Sequence, residues 1–322
     1  MNKIKLLKYT FLLVLVIILL ILPIIMTDPY ALHIVIMVGI SIMLTTSLRL
    51  TMIPGLWNLA PIAFYGIGAY TVYLLMTSLG LSFWPALFAA GIVAGIIALG
   101  FGYVTIRAKG MYFLLLTIAF VEVVRLTITE VPFLGGYTSA RVPAIDPIVI
   151  PNLLRVEFVS KTPFYYLIII LVTITVVVLH RIDKSRIGAI LESIADSGPL
   201  AQSIGINTTG YKVLAFCIGS FFMGIAGGFY ATYSGIISPQ SIILWTSMML
   251  FIAVIAGGVT SIWGAVTGAA LLTALPEVFR GAVYYEPLLS AVVVILVVFF
   301  LPGGLITLPR LFREKVMKTI TR

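Results

Sequence analysis

Apolar residues fall in long runs separated by short polar breaks, and the run length is the first thing to read. A spanning helix needs about 20 mostly apolar residues. Ten stretches are read as spans: Phe11–Met26, Ala31–Leu48, Leu56–Thr77, Phe83–Ile106, Met111–Ile128, Pro163–His180, Val213–Ser234, Ile242–Gly257, Gly264–Phe279 and Pro287–Leu301. Some are short, so broken or re-entrant helices are expected among them. Backbone polar groups in lipid must bond within their own segment or in a closed barrel. These runs do not alternate as barrel strands do. The expectation is an all-α, polytopic integral membrane protein with about ten transmembrane helices, a single domain over residues 1–322.

Composition supports this. Of 322 residues, 61% are hydrophobic and 10% charged, against roughly 45–50% and about 25% in soluble domains. Water could not solvate so much apolar surface. The net charge of +9 reads as cytoplasmic loop charge under the positive-inside bias and not as a nucleic-acid footprint.

Lys and Arg give an orientation. With the N-terminus in the cytoplasm and ten crossings, fifteen of the twenty fall inside, among them Lys3, Arg49, Arg107, Arg181, Lys184, Arg186 and Arg310. Arg141, Arg155, Lys161 and Arg280 fall outside, and Arg125 lies near the outer end of a span. Both termini are therefore expected in the cytoplasm of a cell-membrane protein. The first span could be read as a signal peptide, but no clear small-residue cleavage site follows it, so an uncleaved helix is expected. Two loops are long: 129–162 outside, rich in Gly and Pro, and 181–211 in the cytoplasm.

The cytoplasmic loop is amphipathic. Ile187, Ile190, Leu191 and Ile194 share a helical face, and Glu192 and Asp196 lie four apart on another. Gly198-Pro199 should break this helix, and Gly205 can end a second short one. Such an element suits a partner's groove. It equally suits the membrane surface or the protein's own bundle.

Here the chain resembles the permeases of branched-chain amino acid ABC importers. Their coupling loop runs close to S-x-x-G-R-A-L-x-A-I-R-E-x-E-x-A-A-x-x-L-G-I-N. This chain keeps Ser185, Gly188, Leu191, Ile194, Ala201, Gly205, Ile206 and Asn207. Four more stretches match in order: Phe64-Tyr-Gly66-Ile-Gly68-Ala-Tyr70, Lys109 to Leu126, Gly257 to Glu277, and Pro302-Gly303-Gly304-Leu305. The chain departs from the family at Pro61, where a histidine is usual, and at Ala195-Asp196 and Gly198 in the loop.

The resemblance implies the fold of an ABC-importer permease and transport of branched-chain or related amino acids. It also implies cytoplasmic ATP-binding subunits gripping the loop at Gly188, Glu192, Asp196, Ala201 and Gly205. A second, homologous permease and an extracytoplasmic solute-binding protein would complete the assembly.

Candidates for the translocation path come from irregularity and charge. Asn58, Pro61, Gly66 and Gly68 mark a helix that Pro61 should kink or break, and broken helices often line transport sites. Glu122 is an ionisable group within a span, three residues from Arg125. A polar path lining and a structural pair both fit it. The spacings Gly91-x3-Gly95, Gly224-x3-Gly228 and Gly264-x3-Gly268 read as close helix packing. Glu277 and Glu286 flank Arg280 and read as solvated loop charge at the outer end. His33 and His180 read as structural or interfacial.

No catalytic residue, cofactor or metal centre is expected. His33, His180 and Cys217 are far apart in sequence, and no phosphate-binding G-x-x-x-x-G-K-[ST], H-E-x-x-H or nucleophile–His–acid set occurs. If ATP drives the protein, another chain hydrolyses it. The alternative class is a secondary transporter driven by an ion gradient, with Glu122 as its acid.

Overall fold

The computed structural model describes residues 23, 28–108, 110–134, 136, 139–150, 154–156, 158, 160–279, 285–300 and 304–305. Ten helices lie among them: α1 (Pro29–Met52), α2 (Pro61–Ser78), α3 (Phe83–Thr105), α4 (Met111–Glu130), α5 (Lys161–Asp183), α6 (Arg186–Ser203), α7 (Thr208–Ser234), α8 (Leu244–Gly257), α9 (Ile262–Val278) and α10 (Glu286–Phe300). Nine of the ten expected spans coincide with helices of this set. The expected span Phe11–Met26, apart from Pro23, lies outside the described residues, as does Arg280. Helix α6, in the 181–211 loop, is the one that matches no expected span.

Among the described residues, six helical segments are long and apolar enough to cross a membrane: Pro29–Met52, Phe83–Thr105, Met111–Glu130, Lys161–Asp183, Thr208–Ser234 and Pro239–Gly257. The protein is a multi-pass helical membrane protein. The loop after α4 adds short strands to the all-α plan. β1 (Ala140–Arg141) pairs antiparallel with β4 (Ile236–Ile237), and β2 (Ile148–Ile150) with β3 (Leu154–Val156). The β1–β4 pair clips this loop to the end of α7, helped by the Val142 N–H donating to the Gly235 carbonyl at 3.0 Å.

Helix α7 is the centre of the bundle, packed on α2, α3 and α1. Small residues let these backbones meet, since association in lipid relies on close packing in place of a hydrophobic drive. A Cβ on Gly68 would lie 2.0 Å from the Gly224 carbonyl oxygen, and one on Gly227 1.9 Å from that of Tyr65. On the other side, a Cβ on Gly224 would meet Ala94 and Ala90, and one on Gly91 would meet Phe221 and Ile225. Gly264 and Gly268 do the same for α9 against Gly257, Gly258 and Ala253 of the α8 region. The glycine spacings are helix contacts, with Gly95 the loosest of them.

Contacts between helix ends sort the bundle into two ends. At one, Arg49 near the end of α1 reaches Asp183 at the end of α5 and the Val259 carbonyl after α8. Helix α6 follows directly from there. At the other, Tyr30 of α1 meets Glu277 of α9, His33 meets Tyr233 of α7, and Lys161 of α5 donates to the Pro29 carbonyl. The charge count puts Arg49 on the inner side and Lys161 on the outer side, one at each of these ends.

Candidate functional site

Two places carry functional geometry, one at each end of the bundle. The first is α6. Its start is capped by Ser185, whose Oγ accepts from the Ile187 N–H at 3.2 Å. Extended backbone at Ser197 (φ −159°, ψ 94°) then divides it. The break falls one residue before the expected Gly198-Pro199, because the residue preceding the Gly-Pro pair's helical turn supplies a cap: Ser197 Oγ accepts from the Leu200 N–H.

The second half closes with a Schellman motif. The Ile206 N–H donates to Ala201 O and the Gly205 N–H to Gln202 O. Gly205 takes the left-handed φ of +86° that this ending needs.

One face of α6 is anchored. Leu191, Ile194, Gly188 and Ala201 are buried, and a Cβ on Gly188 would lie 2.2 Å from the Asp183 carbonyl oxygen. So the expected apolar face does pack on the protein's own bundle, with Ile187 and Ile190 only half-buried. Glu192, Asp196 and Gly205 are exposed. Leu200 and Ile204, one turn apart, are 65% and 72% exposed. Glu192, Ala195 and Asp196 also face Arg49, Ile53, Val259 and Thr260 across a cavity of about 290 Å³.

Arg49 is not the loop charge that its place in the sequence suggests. Its side chain is 3% exposed and that of Asp183 11%. Nη1 donates to Asp183 Oδ2 at 2.6 Å, and Nε donates to Val259 O at 2.7 Å. A buried charge needs such pairing.

The second place is a cavity of about 380 Å³ at the opposite end, between α1, α2, α7, α8 and α9. That lies within the roughly 300–1,000 Å³ of small-molecule sites. Along α1 it runs from His33 to Leu44, a depth of about 16 Å at 1.5 Å per residue. Ile34, Met37, Ile40, Leu44, Ile62 and Leu250 form its apolar wall. Hydroxyls come from Ser41, Tyr65, Tyr230, Ser241, Thr246 and Thr273. His33 and Glu277 complete the lining. The Tyr30 hydroxyl donates to Glu277 Oε2, and His33 Nδ1 shares a 2.6 Å hydrogen bond with the Tyr233 hydroxyl.

The path candidates divide around this cavity. Asn58 and Pro61 are buried at the start of α2, where the helix begins five residues later than the apolar run does. A helix start buried in protein must find partners for its N–H groups. The Ala60 N–H donates to Asn58 Oδ1 at 2.8 Å, the Leu59 N–H to Thr117 Oγ1 and the Ile62 N–H to Ser247 Oγ, both at 3.2 Å. Asn58 Nδ2 in turn donates to Thr51 Oγ1 at 3.1 Å. Pro61 sits where it lacks no bond, at the first turn. Together they place Ile62 in the cavity wall.

Gly66 meets Ile242 and Gly68 meets α7, so both serve close packing beside the cavity. Glu122 lies elsewhere, on the outward face of α4, with its carboxylate held by the Arg125 guanidinium.

Sequence reasoning passed over Glu277 and His33, reading them as loop charge and a structural histidine. It also passed over Leu200, Ile204 and the Arg49–Asp183 pair. The signal available for Glu277 was its place one residue after Pro276, inside a matched family stretch. No metal-ligand cluster occurs among the described residues.

A multi-pass bundle with a mixed polar and apolar cavity at one end and a rooted amphipathic helix at the other has the build of a membrane transport protein. The chain belongs to the family described as branched-chain amino acid transport system / permease component, whose model matches residues 30–302. It is 29% identical over 271 residues to the high-affinity branched-chain amino acid transport system permease protein LivM of Salmonella typhimurium, covering 77% of this chain and 63% of that one.

The Escherichia coli LivM matches equally over 272 residues. The Escherichia coli permease protein LivH is 28% identical over 281 residues, 81% of this chain and 88% of that one. The chain thus spans about 63% of the length of its LivM relatives. These relatives are transport permeases and not enzymes. No solved structure matches the chain.

Proposed function

We propose that the chain is a permease subunit of an ATP-driven importer for branched-chain or related amino acids, with both termini in the cytoplasm and separate ATPase subunits bound at residues 186–206. The observation that carries this reading is α6. A helix rooted on one face, with Leu200 and Ile204 exposed one turn apart on another, offers the two apolar anchors a partner's groove needs.

Glu192 and Asp196 add polar contacts beside them. Gly188 and Ala201 root the helix, and Gly205 ends it. A pull on α6 then reaches α5 and α7, which it packs against. Import follows if the ATPases grip one conformation of this bundle more tightly than another.

A second permease subunit covers α4 in this scheme. An ion pair such as Glu122–Arg125 on the outward face of a spanning helix is costly against lipid, and a second permease removes that cost and makes Glu122 part of a shared path. The 380 Å³ cavity, with Asn58 and Pro61 shaping its α2 wall, admits solute from the outer side. A solute-binding protein delivers it near residues 129–162. A gradient-driven carrier gains little from Glu122, since its carboxylate is already tied to Arg125.

The test is purification in mild detergent from the native membrane, with mass spectrometry of what accompanies the chain. A protein with a phosphate-binding loop is expected, and it should be lost from a folded Leu200→Glu, Ile204→Glu variant. A stable chain without an ATPase across several detergents, showing sodium- or proton-dependent uptake, overturns the proposal.

A further inference from the structure

Glu277 occupies an unusual position. Among the described lining residues of the 380 Å³ cavity it is the one carboxylate, and none is Lys or Arg. It sits in the last turn of α9, which ends at Val278. The unpaired carbonyls of a helix C-terminus carry partial negative charge, so an anion there is disfavoured and a cation welcome. Tyr30 donates to Oε2 from α1 and fixes the carboxylate across the cavity mouth. A carboxylate has about four acceptor sites, and one donor leaves capacity for a ligand. Beyond it the wall is apolar, with Ile34, Met37 and Ile40 on α1 and Leu250 on α8.

We infer that Glu277 is the recognition group of this cavity and that it holds the ammonium end of a small solute whose apolar end lies against α1 and α8. The inference rests on reading the chain as a solute permease, and it sharpens the substrate class. The cavity recognises an amine with a short branched side chain. The carboxylate end of an amino acid meets hydroxyls and the His33 imidazole here, with no Lys or Arg among the described lining residues, and contributes less. His33, hydrogen-bonded to Tyr233, also lines the cavity.

Three probes with the same branched side chain separate the two ends: L-leucine, 3-methylbutylamine, which lacks the carboxylate, and 4-methylpentanoate, which lacks the amine. Their binding to the purified full chain in detergent is read by saturation-transfer NMR. L-leucine and 3-methylbutylamine should bind, and 4-methylpentanoate should compete with neither. Glu277→Gln should weaken both binders roughly 10- to 100-fold, the range for a lost hydrogen bond to a charged group. Glu277→Asp should recover part of that loss, and Tyr30→Phe should weaken both binders less than Glu277→Gln does, with the carboxylate still present.

Wild-type affinity in a folded Glu277→Gln chain overturns the inference. So does competition by 4-methylpentanoate, or failure of 3-methylbutylamine to bind the wild type. The chain binds these probes without an ATPase, so a missing ATPase partner sinks the importer reading alone and leaves this result standing.

Discussion

At the scale of single residues, the informative groups are polar ones that the bundle has taken inside. Arg49 is the clearest. Its guanidinium is buried and held by Asp183 and the Val259 carbonyl. Removing one member of a buried pair costs about 3–5 kcal/mol, because the other charge stays buried without compensation. Replacing both with apolar residues is often far less costly.

Arg49→Met should therefore lower the unfolding midpoint of the detergent-solubilised protein sharply. Adding Asp183→Leu should recover most of the loss. Two independent, additive losses would mean that the pair does not hold α1 to α5. The sequence placed Arg49 correctly at the end of a span and on the charge-rich side. It could not show burial, because the partner lies 134 positions away and no local pattern links them. The same holds for Glu277 and Tyr30, 247 positions apart. By contrast Glu122 and Arg125, three apart on one helix, were readable as a pair from spacing alone.

At the scale of elements, the spans were legible because hydrophobic length is a direct physical requirement of the bilayer. Their ends were less so. The apolar run at Leu56 suggests a helix that in fact starts at Pro61. Asn58, Thr117 and Ser247 supply the hydrogen bonds that let the chain run irregularly through protein before it. Pro61 announced the irregularity, but its partners come from α4 and α8 and leave no mark near it in sequence.

Helix α6 shows the same division. Its amphipathic character and its break were readable to within a residue. Which apolar residues face inward was not, since the answer depends on α5 and α7. The exposed pair Glu192 and Asp196 precedes the break at Ser197, and the apolar anchors Leu200 and Ile204 follow it. In the importer reading, Glu192→Arg reverses a charge at the ATPase contact while leaving the buried face untouched. Transport-coupled ATPase activity should fall about fivefold or more, since reversing a charge at an interface removes the complementarity of that contact, with membrane insertion unchanged. Unaltered coupled activity in that variant would count against α6 as the contact.

At the scale of the whole molecule, the two ends of the bundle must face opposite sides of the membrane, and the importer reading requires a particular assignment. The cavity has to open outward and α6 inward. The positive-inside count puts Arg49 at one end and Lys161 at the other, so one labelled position at each end tests the assignment. The single cysteine, Cys217, is first replaced by alanine. Phe133→Cys then marks the loop after α4, where that residue is 66% exposed. Ser203→Cys marks the exposed end of α6.

In intact cells a membrane-impermeant maleimide should label the first variant and not the second. Opening the membrane should make the second react. Reversed labelling would put α6 outside, where no cytoplasmic ATPase can reach it. It would also place Glu277 at the inner mouth, so that the cavity would release solute and not admit it. The charge distribution argues against that arrangement, because it would move most of the chain's Lys and Arg to the outer face and oppose the bias that governs insertion.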